Sequence, residues 1–306
     1  MSMHRKAADV SDYGKPLRFG HFLTPDASMG RRIISFAQEL ETLELALIGL
    51  HVHPYKGRFF GTWTLCAMTA AHTSRIRIFP DVMNLPLRQP AVLAKAAATI
   101  DQLSGGRFEL GLGAGAFWDA IAAMGGPKRT PGEALAAFEE ALCVIRLMWS
   151  NQRSAFFNGE HYRLRGVHPG PQPAHPMQIW VGATGPKMMD LIGRVGDGWV
   201  PSLAYVPPDR ILELRQRIDD AAAQAGRDPA AIERILNIHG QITDGSSTGL
   251  LVGPVARWVD DLTALTVDYG MNAYILMGND LDQVRRFANE VVPQVREQVA
   301  RHRASA

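Results

Sequence analysis

The sequence predicts a (β/α)8 barrel, and three observations carry the prediction. Short apolar runs alternate with longer amphipathic stretches over about residues 17–297. The alternation counts eight strand–helix pairs, the arithmetic of a closed parallel sheet joined by right-handed crossovers. The first strand is followed by "HFLTPDASMG", not by the glycine-rich turn that a doubly wound dinucleotide-binding sheet needs.

In order, "LRFGHFL" (17–23) reads as a strand and 28–44 as a helix; "LALIGLHV" (45–52) leads to a helix over 61–74. "RIRIFPDV" (75–82) precedes a helix over 90–103, and "RFELGLGA" (107–114) precedes one over 133–149. Residues 150–177, between the fourth and fifth strands, are rich in Pro, Gly and aromatics without a clear period. A segment of that length inside a compact domain reads as a functional insertion. Alternation resumes with "QIWVGA" (178–183) and helix 186–195, "DGWVPS" (197–202) and helix 207–225, "RILNIHGQI" (234–242) and helix 254–269, and "NAYILMG" (272–278) with helix 281–302. The chain, 1–306, is expected to be one domain.

Composition excludes several function classes. With 306 residues and 46% apolar content the chain buries a large core. Its 32 basic and 30 acidic residues nearly cancel and are dispersed, which argues against nucleic acid or an anionic membrane as partner. No apolar run approaches the roughly 20 residues needed to span a bilayer. The opening "MSMHRKAADVSDYGKP" is polar and lacks a signal-peptide core, so a cytoplasmic location is expected. Cys66 and Cys143 both fall in apolar helical patterns, which suits reduced core thiols.

In a barrel the chemistry sits at the C-terminal ends of the strands. There His51 and His53, two apart, project to one side. A metal hydrolase built on them needs further ligands. His239 and Asp81 are conceivable, but the fifth and sixth strands end in Gly, Ala, Thr, Pro and Ser, and His161, His168 and His175 lie in the insertion. No metal is therefore assigned. Gly113, Ala114 and Gly115 close one strand, and Gly182, Ala183, Thr184 and Gly185 close the next and open a helix. Backbone without side chains, followed by free first-turn N–H groups, suits a planar ring bearing a phosphate. Phe22, Phe60, Trp63 and Trp118 read as pocket walls, favouring a small, mostly apolar substrate. Phe117, Trp180 and Trp199 fit either the pocket or ordinary core packing.

At this point the residues carry a resemblance. "NLPLRQPAVLAKAAATIDQLSGGRFELGLGAG", "HPMQIWVGATGPKMMDLIGRVGDGWVPS" and "VARWVDDLTALTVDYGMNAYILMG" resemble the luciferase-like monooxygenase family over about residues 17–297. The resemblance implies a flavin- or deazaflavin-dependent oxidoreductase, performing hydride transfer or monooxygenation with FMN or coenzyme F420 at the strand ends. It leans slightly to the deazaflavin, for whose tail Lys187, Arg88 and Arg194 are available cations, though each is also explained as a solvated helix charge. It also implies a ring near His53 and the third and fourth strands, with the phosphate near Gly182, Ala183, Thr184 and Gly185. A non-proline cis peptide is implied at Asp81–Val82, its bulge backing the ring. Family members commonly have an acid where this chain has Val52, before His53. His53 is thus the expected pocket donor and a proton relay near neutral pH, with His51 secondary. Asp81 either supplies the missing acid or merely caps its strand. Ala116 stands where the sugar-phosphate dehydrogenase branch has a catalytic Glu, so that activity is not assigned. The insertion is expected to cover the site, and a homodimer through helices beside the second and third strands is a family expectation. Two alternatives stay open: a barrel that binds its cofactor without turnover, and a metal-dependent hydrolase on His51 and His53.

Overall fold

The computed structural model describes residues 12–305. The polar start at 1–11 and residue 306 lie outside the described residues. The chain runs β1 (Arg18–Leu23), α1 (Arg32–Thr42), β2 (Leu47–His51), α2 (Thr62–His72), β3 (Arg77–Asp81), β4 (Met83–Asn84), α3 (Pro90–Ser104), β5 (Leu110–Gly113), α4 (Trp118–Ala123) and α5 (Pro131–Met148). There follow β6 (Ala155–Asn158), β7 (Arg163–Val167), β8 (Ile179–Val181), α6 (Pro186–Val195), β9 (Gly198–Trp199), α7 (Pro208–Gln224), β10 (Glu233–Ile238), β11 (Gln241–Ile242), β12 (Val252–Gly253), α8 (Val255–Val267), β13 (Ala273–Met277), α9 (Leu281–Arg286) and α10 (Val292–Ser305).

The main sheet has the order β3-β2-β1-β13-β10-β9-β8-β5-β4, and its pairings are parallel. β3 and β4 are one passage of chain interrupted at Val82: β3 pairs with β2, β4 with β5, and a parallel bridge between Ile78 and Phe108 completes the ring. Eight passages therefore close the barrel, as the alternation predicts. Strand alternation sends Phe22, Leu47, Phe79, Trp180, Val200, Ile235, Ala273 and Ile275 inward, where they fill the barrel. Opposite faces of the same strands pack against the helices, and burying each such side chain contributes about 1.5–3 kcal/mol. At Gly111 on β5 a Cβ would lie 1.9 Å from the Pro80 carbonyl oxygen, so only glycine lets these strands approach.

Local sequence explains the element ends. α5 opens with a capping box in which Thr130 and Glu133 satisfy each other's backbone N–H groups. α3 ends at Gly105, whose φ of 72° is left-handed. Of the two cysteines, Cys66 is buried, whereas Cys143 is exposed on the outward face of α5; the expectation of two core thiols fails for the second. Among the described residues no helix is long and apolar enough to cross a membrane.

The insertion differs most from expectation. It contains an antiparallel hairpin, β6 with β7, that lies along α5: the Glu140 carboxylate accepts the N–H groups of Glu160, His161 and Tyr162 at 2.7–2.9 Å. Farther on, Lys95 and Gln102 of α3 donate to the carbonyls of Gly170 and Gln172. His175 then reaches Asp101, Glu109 and Arg77 at the N-terminal pole of the barrel. The segment fastens the outer helices and the floor, and does not cover the mouth as expected. Its strands set Ala155, Phe157, Leu164 and Val167 against the core, but at four and five residues they are too short for a period to stand out in the sequence.

Candidate active site

The strand ends present an aromatic and polar layer above the apolar barrel interior. His51 and Asp81 are register partners on β2 and β3, and Asn237 stands on β10, two positions beyond the inward Ile235. Asn237 donates its amide N–H to Asp81 Oδ1 at 3.1 Å. Asp81 Oδ2, Asn237 Oδ1 and His51 Nδ1 are buried without a hydrogen-bond partner among the described residues. Unsatisfied polar atoms at such density mark a place for a polar guest, because each costs about 1–3 kcal/mol left alone.

The His51 ring packs on Phe22 at 4.7 Å and edge-on against His53 and Phe59 at 4.6 and 5.2 Å. Phe22 is only 4% exposed and belongs to the barrel filling, so it forms a floor and not an open wall. His53 Nδ1 lies 2.6 Å from the Tyr55 hydroxyl, and its ring meets Phe117 edge-on at 5.2 Å. Phe117 is 52% exposed at the rim.

Burial pulls the His51 pKa down to about 3, with the charges of His53 and Lys56 adding to it; burial and then Lys56 take His53 to about 4. Both imidazoles are therefore neutral at pH 7. As a neutral ring His53 donates through one nitrogen and accepts through the other, an arrangement compatible with the expected donor and relay roles. Burial pushes Asp81 up to about 7 despite the opposing hydrogen bond from Asn237, so this carboxyl is the group that changes charge near neutrality.

The two glycine rims open on the same mouth. A Cβ on Gly113 would stand 2.9 Å from Val82 Cγ2, and one on Gly182 would stand 2.6 Å from the same atom. The bare backbone there seats Val82, a role the sequence reading did not foresee. The Asp81–Val82 peptide is cis, where the resemblance implies it. Gly115, with φ of 103°, is walled by Pro86 and Trp118, and Ala114 beside it is half-buried. Space around Gly185 is open; it is the N-cap of α6, and with Thr184 and Lys187 it is exposed. The Trp199 indole N–H donates to the Ala183 carbonyl at 2.9 Å, pinning the loop before that helix.

Other expected residues lie elsewhere. Trp63 packs against Phe108 and Arg88 between α2 and the barrel, away from the mouth. Trp180 and Trp199 are fully buried. Arg194 pairs with Glu139 and Arg88 stacks on Trp63, leaving Lys187 as the exposed cation beside Gly185. His239 points to solvent. Among the described residues no three His, Cys, Asp or Glu side chains converge as a metal site. Sequence reasoning named Tyr55 among the residues that close the second strand without giving it a role, and it missed Asn237. The signal for Asn237 was a polar residue within the apolar run "RILNI", and for Tyr55 its place two residues after His53.

Comparison with known proteins agrees with this geometry. The chain is 32% identical to an F420-dependent glucose-6-phosphate dehydrogenase of Kineococcus radiotolerans over 75% of this chain and 69% of that one. It is 35% identical to a phthiodiolone/phenolphthiodiolone dimycocerosates ketoreductase of Mycobacterium bovis over 56% of this chain, spanning less than half (44%) of that relative. A solved F420-dependent secondary alcohol dehydrogenase, in complex with an F420-acetone adduct, shares the fold with a TM-score of 0.81, covering 92% of this chain and 99% of that one at 16% identity. The profile of the luciferase-like monooxygenases matches residues 17–248. With its barrel, its interrupted third strand and this match over most of its length, the chain belongs to the luciferase-like monooxygenase family.

Proposed function

We propose that the chain is an oxidoreductase that works with a deazaflavin or flavin, coenzyme F420 in preference to FMN, on a small and mostly apolar organic substrate. The observation that carries this reading is the joint fit of the mouth: open backbone at Gly185 heading α6, Val82 raised between Gly113 and Gly182, and unpartnered polar atoms on Asp81, Asn237 and His51 below. When bound, such a group supplies a hydride or, as reduced flavin, oxygen chemistry. Pro186 has no N–H and Met188 and Met189 donate theirs to the Gly185 carbonyl, so Thr184, Gly185 and Lys187 would hold its phosphate by backbone N–H groups and the helix dipole, with Gly182 and Ala183 shaping the approach. Val82 would support the ring, with Gly113, Ala114 and Gly115 along its edge. His53 and Asp81 are the proposed catalytic groups, with His51, Phe22 and Trp118 bordering the substrate, while Trp63 packs outside the mouth against Phe108 and Arg88. F420 is preferred because relatives of similar sequence are named for it. Their substrates are not carried over, since Ala116 offers no carboxylate and the surrounding rings favour an apolar guest.

Titrating the purified protein separately with F420 and FMN and following absorbance tests this. Saturable spectral change with F420 at lower concentration than with FMN is expected; no change with either would sink the reading. Val52 before His53 and Ala116 favour one other reading, a barrel that binds the cofactor without turnover. Stopped-flow mixing of the reduced complex with oxygen or carbonyl compounds separates the two, rapid reoxidation supporting the enzyme. A homodimer in the cytoplasm belongs to the same proposal. Exposed Met68 on α2 and Val92 and Leu103 on α3 supply apolar surface beside the second and third strands. Sedimentation should give about twice the 33.5 kDa chain mass; a monomer at high micromolar concentration overturns that part.

A further inference from the structure

We propose that Tyr55 is a positioning residue: its hydroxyl donates to His53 Nδ1, so that the imidazole presents Nε2–H to the mouth as a hydrogen-bond donor. The inference rests on the reading above only where it gives His53 a role toward substrate.

Backbone geometry builds the pair. The Lys56 N–H bonds the His53 carbonyl at 2.9 Å, a four-residue turn with Pro54 at its second position, where fixed φ is favoured. That turn brings the Tyr55 hydroxyl to 2.6 Å from His53 Nδ1. Ring contacts then fix the plane of the imidazole, with His51 edge-on at 4.6 Å, Phe117 edge-on at 5.2 Å, and Tyr55 itself 5.8 Å from Phe117. Val52, which precedes His53, is a buried apolar residue and offers it no acceptor.

The direction of the hydrogen bond follows from acid–base chemistry. A phenol is a far stronger donor than a neutral imidazole N–H, and an imidazole nitrogen is a far stronger acceptor than a phenol oxygen. Burial raises the Tyr55 pKa to about 12, so the hydroxyl keeps its proton, and His53 is neutral at pH 7. The ring proton therefore resides on Nε2.

This reverses what an acid partner would do. A carboxylate at Nδ1 would accept a hydrogen bond from Nδ1–H and leave Nε2 as a bare acceptor, suited to taking a proton from an alcohol. The phenol leaves Nε2–H as a donor, suited to a substrate carbonyl oxygen. The substrate class favoured at this site is accordingly a ketone or aldehyde.

Imidazole nitrogen NMR of the 15N-histidine-labelled protein at pH 7.5 tests the inference without any ligand, with His53 assigned by its absence in His53→Ala. In the unaltered protein Nδ1 is expected in the unprotonated range and Nε2 in the protonated range. In Tyr55→Phe both signals should move toward a common averaged position. A protonated Nδ1 in the unaltered protein, or an unchanged His53 pattern in Tyr55→Phe, overturns the proposal. The catalytic reading of His53 is tested apart from it, by turnover of His53→Ala, so either can fail without the other.

Discussion

Replacing His53 with alanine is expected to lower turnover by about 10²–10⁴-fold, the usual contribution of a positioned donor, while leaving cofactor affinity nearly unchanged. The side chain lies between His51 and Phe117, its Nδ1 already engaged by Tyr55, so what the substitution removes is the group at Nε2 and not a support of the fold. Steady-state kinetics beside a binding titration decide the matter; equal losses in both would make His53 a binding residue only. The pH profile carries a second check. His53, with its pKa drawn down to about 4, stays neutral from about pH 6 to 8 and contributes no inflection there. An inflection near pH 7 would belong to Asp81, and Asp81→Asn should abolish it.

The largest effect on stability is expected from Asp101→Ala. This carboxylate, 0% exposed on α3, accepts the backbone N–H groups of Phe108, Ala174 and His175 and bonds the His175 ring at 3.0 Å. It ties the returning end of the insertion to the start of the fourth barrel strand. Stripping its partners of their acceptor should cost about 3–5 kcal/mol and lower Tm by roughly 10 °C. A shift under about 2 °C in thermal unfolding would refute this account. The same cluster has a pH signature. Hydrogen bonding to Glu109 is the foremost cause that raises the His175 pKa above its ordinary 6.5, Asp101 adding to it. A raised pKa means that the stabilisation is fully present below about pH 6.5 and is lost as pH rises through the folded value. The Asp101→Ala protein should lose part of that dependence.

The barrel was legible because its signal is periodic and repeated: eight apolar runs each need a partner, and the helices between them leave no other way to pair. β9 is only two residues long, yet its place was readable because a helix stands on either side. At the strand ends the bare backbone of "GLGAG" and "GATGP" was legible in the sequence, while the cis peptide at Asp81–Val82 followed from the family resemblance alone. Where a strand stops was less so: β10 ends at Ile238, which leaves His239 exposed beyond it and Asn237 as its last inward polar side chain, and Trp63 was given to the pocket although it stands in the first turn of α2 and packs on Phe108. The hairpin at 155–167 was hidden for another reason: its strands are only four and five residues long, and Glu140 fixes the turn between them through backbone N–H groups that leave no mark in the sequence.

The seating of Val82 between Gly113 and Gly182 has an evolutionary consequence. Neither glycine can take on a side chain while the valine keeps its place, since a Cβ there would approach its methyl group to 2.9 and 2.6 Å. The three positions, drawn from three separate passages of the barrel, are coupled by packing. Single substitutions at 113 or 182 should fail, whereas a library that trims residue 82 while it builds up residue 113 or 182 reaches combinations that single steps do not.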